Sequence, residues 1–176
     1  PPSLNQVAYV KEGRCQSKAT EELWPPITLG VMAALLRDNG FDIVLKDCVA
    51  LDYSRQQVQE LISEGFDAAI VNSTTPTVYD DLEIAKMIKA NNPKAVVIFY
   101  GTHVTALPEE VLSNDCVDYV IRREPEMSVL DLLQTLRDNK PISKVKGISF
   151  KHNKKFVHNP ERELLEDLDS LPFVPR

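Results

Sequence analysis

Cysteine is scarce in this chain of 176 residues, and so is glycine, with three of the first and six of the second. Cys15, Cys48 and Cys116 lie far apart, are odd in number and include no C-x-x-C pair. That argues against a disulfide framework and against a cysteine-only metal site; inert thiols in a reducing cytoplasm are the expectation. His103, His152 and His158 add no metal-ligand spacing, so no metal ligand is assigned, and no catalytic residue either. The phosphate-cradling signatures G-x-G-x-x-G and G-x-x-x-x-G-K-S/T are both missing. No apolar run comes near the roughly 18 residues of a membrane span, so no membrane partner is expected. Positive charge is in deficit: the formal net charge is −6, which disfavours nucleic-acid binding through a basic surface. An initiator methionine and a signal peptide are lacking too. The chain opens on Pro1-Pro2-Ser3, and we read it as a piece of a longer protein.

What is there is ordinary for a globular domain: 43% hydrophobic and 26% charged residues. Apolar periodicity predicts a helix from Pro26, with Val31, Met32, Leu35 and Leu36 on one face and Gly40 as its stop. Asp42 to Cys48 reads as a short strand. Ser54 and Gln57 form a capping box at the start of a second helix, with Val58, Leu61 and Ile62 inward and Gly65 at its end. Asp67 to Ser73 reads as a strand. A third helix follows with Val78, Leu82, Ala85 and Ile88 on its inner face, terminated by Asn91, Asn92 and Pro93. Ala95 to Gly101 is a strand, Pro108 opens a short helix, Asp118 to Arg122 is a strand, and Glu126 to Asp138 is a helix. Val7 to Val10 is the one stretch available for a strand ahead of all of these.

Strict alternation of strands and helices, with strands apolar throughout, predicts an α/β fold: a parallel sheet covered by helices on both faces. The tail departs from that pattern. Residues 146–159 read as a hairpin turning near Asn153, and the segment after it reads as extended, held out of helix by Pro172 and Pro175. The expected division is therefore a binding domain over residues 1–140, its first strand lying upstream of Pro1, and a hairpin with linker over 141–176.

Ligands of such sheets bind outside the carboxyl ends of the strands. The loops at that edge are Pro1-Pro2-Ser3, Asp47-Cys48, Ser73 to Thr77, Gly101 to Val104, and Arg122 to Glu126. Three of the five are rich in Ser, Thr or Gly, which supply close backbone approach and neutral hydrogen bonds. Such an edge suits a large ligand with an amide or hydroxyl fringe better than a bare polyphosphate. Each loop also has a plainer explanation. Ser73 to Thr77 can cap the third helix, Gly101 can serve a turn, and His103 can be a satisfied loop histidine.

The ordered series "WPPITLGVMAALLRDNGFDIVLKDC", "STTPT", "GTHVTALPEEV", "YVIRREPE" and "NPERELLEDLDSLPFVPR" resembles the N-terminal cobalamin-binding domain of cobalamin-dependent radical SAM enzymes, the group that includes the anaerobic magnesium-protoporphyrin ester cyclases. The resemblance covers nearly the whole chain. It implies a three-layer Rossmann-like sheet in flavodoxin-like order that cradles cobalamin at its carboxyl edge. It also implies a radical SAM barrel in cis, carrying a C-x-x-x-C-x-x-C motif, a 4Fe–4S cluster and S-adenosylmethionine, and acting on a small-molecule substrate by methyl transfer or cyclisation. That motif is absent here, so the chain is not expected to be catalytic alone. Carried over by match, the cofactor contacts are Ser73, Thr74, Thr75, Pro76 and Thr77; Gly101, Thr102, His103 and Val104; and Arg122, Glu124 and Glu126.

Three departures stand out. Tyr100 and Thr102 flank Gly101 where the family often has glycine and proline, and Arg123 stands where it often has glycine. The D-x-H-x-x-G signature of other cobalamin domains is missing, which predicts cobalamin bound with its own base displaced and no histidine on cobalt. Tyr100 and Arg123 also open an alternative reading: a degenerate site, with the domain serving for docking or substrate recognition. A receiver domain is a poorer fit, because Asn72-Ser73 stands where it needs a phosphorylatable aspartate.

Overall fold

The computed structural model describes residues 25–48 and 50–174, and the backbone of residues 8–11 and 14–17. Pro1 to Ser3, Val7, Trp24 and Pro175 lie outside the described residues. Strands β1 (Ala8–Lys11) and β2 (Arg14–Ser17) pair antiparallel in a two-stranded sheet of their own. The main sheet has the order β3-β4-β5-β6-β7. Its strands are β3 (Ala68–Asn72), β4 (Val96–Tyr100), β5 (Tyr119–Ile121), β6 (Ile148–His152) and β7 (Lys155–His158). The first three are parallel, with Asn72 opposite Tyr100 and Tyr100 opposite Ile121, so their carboxyl ends are level. β6 and β7 continue the same sheet antiparallel. The hairpin expected as an appendage thus belongs to the sheet. Its turn residues Asn153 and Lys154 have φ of +49° and +62°, the left-handed pair that matches strand twist.

Helices α1 (Ile27–Asp38) and α6 (Glu126–Arg137) cover one face. Helices α2 (Arg55–Ser63), α3 (Val78–Asn91), α4 (Thr102–Ala106) and α5 (Pro108–Leu112) cover the other. Strand β4, paired on both sides, explains why both faces must be covered. Val97 and Phe99 enter the α2–α3 core while Ile98 and Tyr100 enter the α1–α6 core, and all four are buried. The capping box forms as read: the Ser54 amide donates to Gln57 Oε1 at 2.9 Å and the Gln57 amide to Ser54 Oγ at 3.3 Å.

Three readings need correction. Asp42 to Cys48 is not a strand; residues 41–47 run without regular structure, with Phe41 and Ile43 packed inward and Val44 and Leu45 exposed. A strand needs a ladder, and β3 is the sheet's edge, paired on its β4 side alone among the described residues. The stretch at Val7 to Val10 does not fill that place, because β1 pairs with β2 instead. Finally, the bare turn after β4 is helical: α4 starts directly behind Gly101, with the Thr105 amide donating to the Gly101 carbonyl at 3.1 Å.

No helix among the described residues is long and apolar enough to cross a membrane. The exit segment leaves along the helical face. Val174 packs so close to α1 that a Cβ on Gly30 would lie 2.6 Å from its Cγ1, so a larger residue there would push the Val174 side chain aside.

Candidate functional site

The level ends of β3, β4 and β5 bring three loops together. The Ser73 amide donates to the Tyr100 carbonyl at 2.8 Å, which ties the first loop to the second. Thr74 to Thr77 closes as a turn, the Thr77 amide donating to the Thr74 carbonyl at 2.9 Å. The Thr74 and Thr77 hydroxyls lie 3.1 Å apart inside it. Thr75 and Pro76 form the exposed tip. Thr75 Oγ1 lies 3.2 Å from His103 Nδ1 on α4. The third loop is joined through Thr105, whose Oγ1 donates to the Gly101 carbonyl at 2.8 Å and accepts from the Arg123 amide at 3.0 Å.

Gly101 has φ +123°. A Cβ there would stand 2.3 Å from the Ser73 carbonyl oxygen and 2.9 Å from Asn72 Oδ1. The bareness of this residue thus serves the contact between the first and second loops. His103 is 5% exposed, with Nε2 at 3.7 Å from Glu110 Oε1, too long for a hydrogen bond.

Of the residues expected at this edge, Thr75, Pro76, Thr102 and Glu124 are exposed, and Gly101 and Glu126 are half-buried. Ser73, Thr74, Thr77 and His103 are buried just behind them. Two belong elsewhere by their packing. Val104 is fully buried in the α2–α3 core. The Arg122 guanidinium reaches away from the edge, donating to the carbonyls of Asn159 and Ile148. It ties the end of the hairpin to β5.

Tyr100 and Arg123, the bulky departures, do not cover the edge. The Tyr100 side chain lies within the α1–α6 core at 3% exposure. Arg123 turns outward to Glu161 Oε2 at 2.8 Å, and its φ of +62° explains why a glycine is also at home there.

Sequence reading missed Asp81. It stands on α3 at the same face as Val78, Leu82 and Ala85, with no exposure at all. Its Oδ2 accepts from Thr77 Oγ1 at 2.8 Å. Burial in this apolar surrounding pushes its pKa up to about 7, against weaker opposing help from the Thr77 hydroxyl. The available signal was a carboxylate placed on an otherwise apolar stripe. Behind the edge, Asp81 Oδ1, Ser73 Oγ and His103 Nε2 are buried without hydrogen-bond partners among the described residues. No group of three or more His, Cys, Asp or Glu able to hold a metal occurs among the described residues.

A family model described as the B12 binding domain matches residues 18–133. An uncharacterized methyltransferase of Pyrococcus horikoshii is 31% identical over 85% of this chain and 33% of its own length. An anaerobic magnesium-protoporphyrin IX monomethyl ester cyclase of Rubrivivax gelatinosus is 29% identical over 84% of this chain and 28% of its own. The chain thus spans about a third of these curated relatives or less. Among solved structures, the radical S-adenosylmethionine methyltransferase TsrM of Kitasatospora setae, with cobalamin and a [4Fe-4S] cluster bound, superposes with a TM-score of 0.68 at 17% identity, covering 87% of this chain and 30% of that one. The cobalamin-dependent S-adenosylmethionine radical enzyme OxsB, with aqua-cobalamin bound, gives 0.68 at 17% identity over 78% of this chain and 20% of that one. At these identities the likeness establishes a shared fold.

Proposed function

The chain belongs to the B12-binding domain family, and from that premise we propose that it is the cobalamin-carrying module of a larger radical SAM enzyme, holding the cofactor at the 73–77 and 101–104 segments with its own base displaced and no histidine on cobalt. The observation that carries the reading is the joined edge itself. Three loops at level strand ends present Thr75, Pro76, Thr102 and Glu124 to solvent, backed by buried polar atoms still without partners. Apart from Glu124, that set is neutral, and its hydroxyls fit the amide fringe of a corrinoid.

The way the histidines are held supports the missing cobalt bond. His103 is buried and faces Thr75 and Glu110. His158 Nδ1 lies 2.9 Å from Ser149 Oγ and its Nε2 lies 3.1 Å from Glu109 Oε1. His152 closes β6, which runs antiparallel to β5, so it lies toward the opposite edge of the sheet. A bound corrinoid would supply methyl-group or radical chemistry at cobalt; the chain's own residues would bind and orient it. A radical SAM barrel in cis, with its cluster and S-adenosylmethionine, and a small-molecule substrate complete the proposal.

The test is to incubate the purified chain with hydroxocobalamin, desalt it and record the visible spectrum. A retained corrin band with base-displaced positions is expected, unchanged in position in His103→Gln. A colourless protein would remove the cobalamin reading. A band that shifts in His103→Gln would remove the claim that no histidine ligates cobalt.

A further inference from the structure

Asp81 is a carboxyl group in the least hospitable place for a charge, directly behind the turn that faces the candidate ligand. Its side chain is sealed from solvent on the buried face of α3 that also carries Val78, Leu82 and Ala85. One oxygen accepts from Thr77 Oγ1, and Thr77 in turn holds Thr74, accepting from its amide at 3.2 Å. The other oxygen, Oδ1, has no partner among the described residues, and neither has Ser73 Oγ, which lies close enough to act on the carboxyl. A buried carboxylate oxygen without a hydrogen bond is costly, and a proton on the carboxyl removes the charge that burial penalises most.

Where that proton sits decides the direction of the chain. With Asp81 ionised, Ser73 and Thr77 must both donate inward to it. With Asp81 neutral, that demand is lifted and the Ser73 hydrogen is free to point toward the loop edge. Among the described residues the other charged groups around it are few. Asp80 precedes it on α3 and works against a second charge. His103 on α4 and Glu110 on α5 stand beyond Thr75. From α2, Arg55 acts on Glu83 further along α3. None of these is hydrogen-bonded to the Asp81 carboxyl.

We propose that Asp81 is the positioning residue of this site: neutral, it clamps the Thr74–Thr77 turn and sets which hydroxyls can donate outward, and cobalamin affinity falls when it ionises. The proposal rests on the cobalamin reading above. Burial of the carboxyl favours the neutral form up to about pH 7.

The test compares the purified wild-type chain with Asp81→Asn, whose side chain copies the neutral acid: an acceptor for Thr77 and a donor for Ser73. Amide spectra of the 15N-labelled proteins between pH 5.5 and 8.5 report the turn without ligand. Titration with methylcobalamin, followed by absorbance, reports affinity at the same pH values. Expected are Thr74–Thr77 amides that titrate with a midpoint near 7 in wild type and stay still in Asp81→Asn. Equal affinities are expected at pH 6, and wild-type affinity about tenfold weaker than Asp81→Asn at pH 8.5. Wild-type amides that do not titrate overturn the proposal, whether or not the variant folds. Cobalamin bound with the same pH profile by both proteins also overturns it and leaves the cobalamin reading standing. Titrating amides with no cobalamin bound by either protein overturn the cobalamin reading and support Asp81 as the clamp of the turn.

Discussion

Gly101 illustrates how a single residue is legible in kind and not in reason. A glycine after a buried strand reads as a place where backbone must come close to something. The structure identifies that something as the Ser73 carbonyl of the neighbouring loop, on a backbone with φ +123° and ψ −176° that side chains avoid. Gly101→Ala is therefore expected to lower stability by about 1–3 kcal/mol, the usual cost of such a conformation, measured by urea denaturation. An unchanged midpoint would show that the first two loops do not rely on their contact. The neighbouring position is the reverse case. Arg123 tolerates its positive φ with help from the Thr105 hydroxyl and from Glu161 on the exit segment.

At the scale of elements, the exit segment is built as a strap. The Asn159 side chain donates to the carbonyls of Ile142 and Val145 at 2.8 and 2.7 Å. The Gly147 amide donates to the Pro160 carbonyl at 2.8 Å. Then Glu161 pairs with Arg123, Glu163 with Lys146, and Arg162 with Asp131 while also donating to Ser128 Oγ at 2.9 Å. The two glutamate pairs are exposed and worth little singly. The half-buried Arg162 fork carries more, because it joins a charged donor to two groups on α6. Arg162→Ala is expected to cost about 1–3 kcal/mol and to speed chymotryptic cleavage at Leu164, Leu165, Leu168 or Phe173 while the circular dichroism of the sheet and helices stays the same. Cleavage at the wild-type rate would show that the strap is held by its backbone bonds alone. In the sequence "NPERE" reads as part of an extended exit; that it fastens the exit to the ligand-edge loop and to α6 depends on residues up to 38 apart in sequence.

At the scale of the whole molecule, Asp81 sets a pH dependence on folding. In the unfolded chain its carboxyl ionises near 3.8; in the folded protein it is held up near 7 by burial. A raised carboxyl pKa means that its contribution to stability is complete below about pH 4, declines as pH rises through 7, and then stays level. The span is on the order of 4 kcal/mol. Urea midpoints measured at pH 5, 6, 7 and 8 are expected to fall for wild type and to fall less for Asp81→Asn. Parallel curves would show that some other group governs the trend.

The sequence by itself determined the layers and the edge. Continuous apolar strands such as residues 96–100 must be covered on both faces, helix starts follow from caps such as Ser54, and the polar loops fall at one end because parallel strands share a direction. Only the tertiary structure decided the rest. Asp42 to Cys48 has strand-like residues, yet a strand exists by its ladder, and no partner stands beside it among the described residues. Arg122 and Val104 sit at matching positions, yet the hairpin carbonyls and the α2–α3 core claim their side chains. Asp81 looks like one more acidic residue of a helix's first turn. Its importance comes from the fully enclosed apolar environment that the strands and helices build around it, and burial is a property of the assembled fold that residue order alone does not express.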